Sequence, residues 1–510
     1  MNKHYDVAVV GGGHNALVAA CYLAKAGKSV VVLEKNREFG GATKSVYAFP
    51  GVPAKLSRYS YLVALLPDQI KQELNLEFET LSRTVSSYTP IEESGVLINR
   101  TFDDESRNSI DSFTNSKKES AAWELFYSRI AQVASLLAPT MLQPLRSEAE
   151  MKALIGEDLW QEFVAQPLSE TLHGYFKDNF IKGIVLTDGL IGTFASATER
   201  LSNICFLYHL IGNGTGEWRV PRGGMGKLVE ALINRAQLLG VELRASARVV
   251  TIEPGDSGVA IGIENGERVS AKLLLSGASP ASLEKLTGIT APNFRDGSQV
   301  KMNMVLKRLP RLKSGMDPKK AFAGTFHIDE SYDQLERAYA QAKSGVIPDE
   351  IPSEMYCHTL TDPSILDDSM KLAGNHTLTL FALHTPASLF DADHDRVKTE
   401  VTRRILAGLN KYLAEPIEEL LLTDSDGKPC LEVKTPQELQ GEIDLPRGNI
   451  FHGDLSWPWL TGDENRRWGV ETTHDRVLIA GAGAIRGGGV SGIAGHNAAM
   501  AALERLEKSK

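Results

Sequence analysis

Residues 5–34 restrict this chain more than any other stretch. Tyr-Asp-Val-Ala-Val-Val at 5–10 reads as a short buried strand, and Gly11-Gly12-Gly13-His14-Asn15-Ala16 follows as a tight turn. Residues 16–26 are strong helix formers closed by Gly27, and Ser29-Val30-Val31-Val32-Leu33 is a second apolar strand ending at Glu34. Two fully apolar strands joined by one short helix imply a parallel sheet covered on both faces. The fold class is therefore α/β, with a Rossmann-like dinucleotide domain at its centre.

The turn carries chemistry as well as topology. Gly11 permits the tight reversal, Gly13 lets main chain approach a pyrophosphate, and the helix start behind it offers unpaired N–H groups and positive dipole. Ala16 takes the third fingerprint position, which governs helix–strand packing. Glu34 stands 21 positions after Gly13, where a carboxylate accepts both ribose hydroxyls and repels a 2′-phosphate. Gly40-Gly41-Ala42-Thr43 follows at once, and paired glycines there bring more N–H groups to the same pyrophosphate. Its closeness to Glu34 favours FAD over NAD. The plainer reading of both glycine clusters is packing and an ordinary loop.

A later cluster, Gly481-Ala-Gly483-Ala-Ile-Arg-Gly487-Gly488-Gly489-Val490, looks like another nucleotide site. Only 21 residues follow Gly489, too few for a helix and a second strand, so a complete second site is not expected. The expectation is instead a helix beginning near Val490 and running to Leu506, its N-terminus aimed at a ligand bound elsewhere. Such a terminus stabilises negative charge, as on a reduced flavin, by about 0.3–1 kcal/mol. Both ends of the chain would then meet on one cofactor.

The chain has 510 residues, so two domains are expected. A hydrophobic fraction of 42% excludes a disordered class, and a net charge of −9 without a Lys/Arg cluster gives no footprint for nucleic acid. Cys21, Cys205, Cys357 and Cys430 are dispersed, which suits a reducing compartment and offers no metal or dithiol spacing. No run of 18 apolar residues is present, and Asp6 already precedes a strand, so a cytoplasmic protein is expected.

Elsewhere the pattern is coarser. Residues 118–137 carry Trp123, Phe126, Tyr127, Ile130, Val133 and Leu137 on one helical stripe, read first as core and second as a lipid-facing or substrate-lining face. Residues 249–252 read as a strand, and Asn265-Gly266 signals a two-residue hairpin. Leu273-Leu274-Leu275 and residues 477–484 are further apolar strands. The organisation is interleaved: segments 1–79, 216–284 and 441–510 form the FAD-binding domain. Segments 80–215 and 285–440 form an α+β substrate-binding domain.

Five ordered motifs carry a resemblance over nearly the whole length. They are residues 11–20, Ser-Arg-Tyr-Ser-Tyr-Leu at 57–62, Pro-Arg-Gly-Gly-Met-Gly-Lys-Leu at 221–228, Leu-Pro-Arg-Gly-Asn-Ile-Phe-His-Gly at 445–453, and the 487–490 end. The chain resembles the phytoene desaturase-like FAD oxidoreductases, most closely the branch called pyridine nucleotide-disulfide oxidoreductase domain-containing protein 2. The resemblance implies the fold shared by amine oxidases and Rab GDP-dissociation inhibitors. It also implies that Val249 main chain holds the adenine and that the 483–490 end meets the isoalloxazine. The branch name misleads about mechanism, since this sequence lacks a flavin-facing cysteine pair. It also departs from the family's usual His-Pro before the triple glycine, with Ile485 and Arg486 there.

The cofactor-binding candidates are Gly11, Gly13, His14, Asn15, Ala16, Glu34, Lys35, Gly41, Ala42, Thr43, Val249, Gly483, Gly488, Gly489 and Val490. Arg58, Tyr59, His452 and Arg486 are the side chains expected beside the flavin. Arg58 sits in an apolar-aromatic stretch and needs a partner, either a substrate anion or a scaffold carboxylate. Arg486 is read as an anion binder or a surface residue, and His452 as a proton carrier or a core histidine. No metal is expected. The reaction expected is hydride transfer from a substrate C–H to flavin N5, desaturating a C–C or C–N bond in a lipophilic or extended small molecule. Oxygen or a quinone reoxidises the flavin, and peripheral membrane contact fits such a substrate. An amine oxidase-like enzyme, a net isomerase and a non-catalytic binder of the Rab GDP-dissociation inhibitor type are the competing readings.

Overall fold

The computed structural model describes residues 3–508 apart from 64, 213, 215 and 463–465. Its first sheet is built around the opening strand Lys3–Val10, which pairs in parallel with Val30–Leu33 on one side and Arg268–Ser276 on the other. Glu242–Arg244 adds in parallel beyond Val30–Leu33. Val249–Pro254, Val259–Ile263 and Arg268–Ser276 form an antiparallel meander, and Val477–Ile479 joins the C-terminal half of Arg268–Ser276 in parallel. The alternation of a strand sends Val7 and Val9 to one face and Ala8 and Val10 to the other, and all four are buried. Both faces are thus covered, as continuous apolar strands require.

Helix His14–Lys25 follows the first strand and packs on the Val7–Val9 face together with Ile493–Lys508 and Gly226–Leu238. The last helix begins at Ile493 rather than Val490, because Gly492 takes φ +71° and Gly489 φ +72° and the chain turns there instead of coiling. The strand after residue 476 ends at Ile479, short of 484, since residues 481–490 form a glycine-rich coil. The hairpin at Asn265-Gly266 is wider than two residues. Residues 264–267 separate its strands, and the Ile263 N–H donates to the Glu267 carbonyl at 2.9 Å.

A second seven-stranded sheet has the order Leu431–Lys434, Val300–Leu306, His376–Ala382, Ser353–Tyr356, Thr325–Ile328, Val85–Ile91, Ser94–Asn99. One face is packed by Met302, Met304, Phe326 and the helix His394–Asn410. Segment 104–211 is helical and forms its own core around Phe126, Phe163, Phe176 and Phe206. Among the described residues no helix is long and apolar enough to cross a membrane.

Candidate functional site

A cavity of about 470 Å3 lies over the C-terminal end of the opening strand, where parallel α/β sheets place their ligands. Its floor is the turn at 11–16. Gly11 has φ +90°, and a Cβ there would press on Gly277 main chain at 3.3 Å, so conformation and contact both demand glycine. Gly13 is different. Its φ of −70° suits any residue, and an added Cβ meets nothing within 4 Å. Neither strain nor packing explains this glycine, but open space in front of bare main chain at a helix start does. Gly41 comes in from the side, its Cβ position 3.3 Å from Gly13 Cα, and Gly40 N–H donates to the Gly12 carbonyl at 2.8 Å.

Glu34 ends the second strand on the cavity wall, with Gly12 N–H bonded to Oε2 at 2.7 Å and Asn36 N–H to Oε1 at 2.8 Å. Two main-chain donors fix the carboxylate on the cavity wall. Lys35 and Val249 also line this end, and Lys35 pairs with Asp444 at 3.1 Å. Gly489, Val490, Gly481 and His452 line the same cavity. His14 links the two ends of the chain. Its Nδ1 lies 3.0 Å from Thr43 Oγ1, and burial lowers its pKa to about 4 although the Gly489 main chain pulls the other way. His14 Nε2 and His452 Nδ1 are buried without a hydrogen-bond partner. Burial holds His452 at about 4 too, so both imidazoles are neutral near neutral pH.

Of the candidates, Gly11, Gly13, His14, Asn15, Ala16, Glu34, Lys35, Gly41, Ala42, Val249, Gly489, Val490, Tyr59 and His452 line this one cavity. Thr43 stands behind His14, and Gly483 packs on Pro280 and toward His452, so a Cβ there would clash with Pro280 at 2.6 Å. Gly488 is crowded by Leu455 and Phe451.

One side-chain expectation is corrected, and the open choice for Arg58 falls on one of its two alternatives. Arg486 is neither a surface residue nor an anion binder in the cavity: it is 1% exposed and its guanidinium donates to the carbonyls of Thr140, Gln143 and Trp468 at 2.7–3.2 Å. Its main chain has φ +65°, which turns the side chain away from the glycine coil into that carbonyl cage. Arg58 meets a scaffold carboxylate rather than a substrate anion, with Nε bonded to Glu432 at 2.9 and 3.2 Å. Tyr59 reaches the cavity wall, but its hydroxyl is spent on Glu442 at 2.8 Å.

Residue-by-residue reading missed Lys301, Trp218 and His209. Lys301 is 1% exposed on the cavity wall, donates to the Tyr59 carbonyl at 2.9 Å, and faces the rings of Tyr61 and Phe381 at 4.9 and 5.0 Å. Burial drives its pKa well below the usual lysine value. The available signal was a lone lysine in the apolar run Val-Lys-Met-Asn-Met-Val-Leu. Trp218 stacks on His209 with centroids 5.3 Å apart.

The profile of the family described as flavin containing amine oxidoreductase matches residues 17–417. The chain belongs to this family. Among the relatives of this flavin amine oxidoreductase is an uncharacterized protein of Mycobacterium tuberculosis, 44% identical over 99% of this chain and 98% of its own length. Rattus norvegicus pyridine nucleotide-disulfide oxidoreductase domain-containing protein 2 is 28% identical over 99% and 94%. The lycopene-forming phytoene desaturase of Pantoea ananas is 24% identical over 97% and 98%. Cyclohexylamine oxidase from Brevibacterium oxydans shares the fold, with a TM-score of 0.56, 15% identity and 99% coverage of both chains.

The family's cofactor is FAD, and the cavity fits it. Bare Gly13 main chain, the Glu34 carboxylate and the orphaned His14 Nε2 are features that a pyrophosphate, a ribose and a polar ligand edge explain. The chain is an FAD-dependent oxidoreductase.

Proposed function

We propose that this flavoenzyme removes a hydride from a C–H of a lipophilic or extended small molecule, desaturating a C–C or C–N bond, with oxygen or a quinone as final acceptor. The observation that carries this reading is the wall beyond the dinucleotide turn, where Tyr61, Leu62, Leu65, Ile191, Trp218 and Phe381 line the same cavity. Apolar walls favour an apolar substrate and keep water out. Bound FAD supplies the two-electron acceptor. The chain's own groups bind and orient. Gly13 and the start of His14–Lys25 present N–H groups to phosphate, and Glu34 presents a carboxylate to ribose. Lys301 ties down the carbonyls of Ser57 and Tyr59 and so positions the Tyr59–Tyr61 segment. Neutral His14 and His452 offer hydrogen bonds without adding charge.

In this reading segments 1–79, 216–284 and 441–510 hold FAD, and 80–215 with 285–440 hold substrate. The partner is a small molecule, with peripheral contact to a membrane where substrate is stored there, in a cytoplasmic protein. C–N oxidation of the amine oxidase kind is favoured by one arrangement: Tyr61 packs against Tyr356 and Phe381 with centroids 4.6 and 4.8 Å apart. Aromatic rings of this kind can frame an amine carbon.

The test is anaerobic titration of purified yellow enzyme with polyenes, terpenoids and alkylamines, followed through the visible flavin band. Bleaching by one class identifies the bond oxidised. An enzyme that dithionite bleaches but no organic donor does would defeat the reading.

A further inference from the structure

A second cavity, of about 590 Å3, lies between the second sheet and the helical segment. Trp218 is a wall of both cavities. Tyr356 of the second packs on Tyr61 of the first, so aromatic rings stand between them.

One side of this chamber is apolar. Trp123, Tyr127, Ile130 and Ala134 come from the helix Lys117–Leu137, so part of the stripe read as core faces a cavity. The other side carries carboxyls from distant parts of the chain. Glu354 is 1% exposed on Ser353–Tyr356, and its Oε1 accepts from Tyr61 Oη at 2.8 Å and Tyr356 Oη at 3.1 Å. Asp188 follows the helix Asn179–Thr187, and its carboxylate makes no hydrogen bond or ion pair among the described residues.

The other charges around the chamber are largely accounted for. His327 lies 2.9 Å from Glu330, Arg100 pairs with Glu217, and Glu124 pairs with Arg107 at 2.9 Å. Arg83 is held over the Tyr356 ring at 5.2 Å. Asp188, Glu354 and Glu330 therefore face Arg83 and His327, three carboxyls to two cationic side chains. Burial raises Asp188 to about 6 and Glu354 to about 7. A pure hydrocarbon would bury these groups and give them no partner, which is unfavourable.

We propose that this chamber binds an amphipathic organic cation, an alkylammonium whose nitrogen is held between Asp188 and Glu354 while its chain lies along Trp123, Tyr127 and Ile130. The proposal rests on the oxidoreductase reading only in making that cation the substrate; the binding itself stands apart.

The holoenzyme is titrated with octylamine, octanol and octanoate, read by calorimetry and by tryptophan fluorescence. Octylamine is expected to bind at least tenfold more tightly than octanol, with octanoate weakest. Asp188→Asn and Glu354→Gln should each weaken octylamine at least tenfold at unchanged FAD content. Ala134→Trp, which fills the apolar side, should abolish binding with the flavin retained. Octanol or octanoate binding as well as octylamine, or an unchanged affinity in Asp188→Asn, would overturn the proposal. Flavin absorbance recorded in parallel separates the two claims. Asp188-dependent binding in an enzyme that no donor bleaches supports the chamber and sinks the redox reading. Bleaching by amines that survives Asp188→Asn unchanged does the reverse.

Discussion

Gly13 and Arg486 mark the two extremes of what a single position reveals. Gly13 has ordinary backbone angles and no neighbour to clash with, so its lack of a side chain serves something that approaches from outside the chain. Gly13→Glu should therefore fold and yet purify without FAD, because the new carboxylate would occupy the pyrophosphate path. Native circular dichroism with no visible absorption is the expected result; a yellow variant would misplace the site. Arg486, by contrast, was illegible. An arginine inside a glycine cluster reads as exposed or ligand-facing, since an arginine is almost never fully buried unless paired. Its partners are three carbonyls, two of them more than 340 positions away, and main-chain acceptors carry no sequence signature. Arg58 was half legible. Its need for a partner followed from its apolar surroundings, but Glu432 as that partner did not.

Elements were legible where they are local. The strand–turn–helix–strand unit at the start is contiguous, so its periodicity, glycine punctuation and closing acid all lie within one window. The second sheet was not legible, because strands such as Thr325–Ile328 and Ser353–Tyr356 are four residues long and buried throughout, with no alternation to detect. The chamber carboxyls escaped for the same reason, since Asp188 and Glu354 meet only through the fold. The meeting of the two ends of the chain depends on one helix pair. A Cβ on Gly495 of Ile493–Lys508 would lie 1.9 Å from the Asn15 carbonyl in His14–Lys25. Gly495→Val should push these helices apart at a cost of about 1–3 kcal/mol or more. The displaced helix carries the phosphate-binding turn with it, so FAD affinity should fall together with the urea midpoint. Loss of stability with unchanged FAD affinity would show that the turn is held independently of the last helix.

The whole molecule stores opposed titrations in its interior. Burial holds His14, His209 and His452 at about 4 and His358 and His384 at about 3, against 6.5 for the unperturbed ring. A group with a lowered folded pKa binds its proton later than the unfolded chain does. Each such histidine therefore withdraws stability as pH falls below about 6.5, at about 1.4 kcal/mol per pH unit once fully engaged. Asp188 and Glu354 act in the other direction. Their folded values lie above 3.8 and 4.5, so they cost stability as pH rises toward 6 and 7 and release that cost on acidification. With His376 and His496, seven histidines are lowered, against four raised carboxyls, Asp329 and Glu330 joining these two, and one raised histidine, His327. Urea midpoints of the holoenzyme should accordingly be lower at about pH 5.5 than at about pH 7.5. Asp188→Asn should widen the gap, because it removes a group that partly offsets the histidines. A midpoint that rises on acidification would mean that the carboxyls of the second chamber dominate the interior, and that this protein is most stable with them protonated.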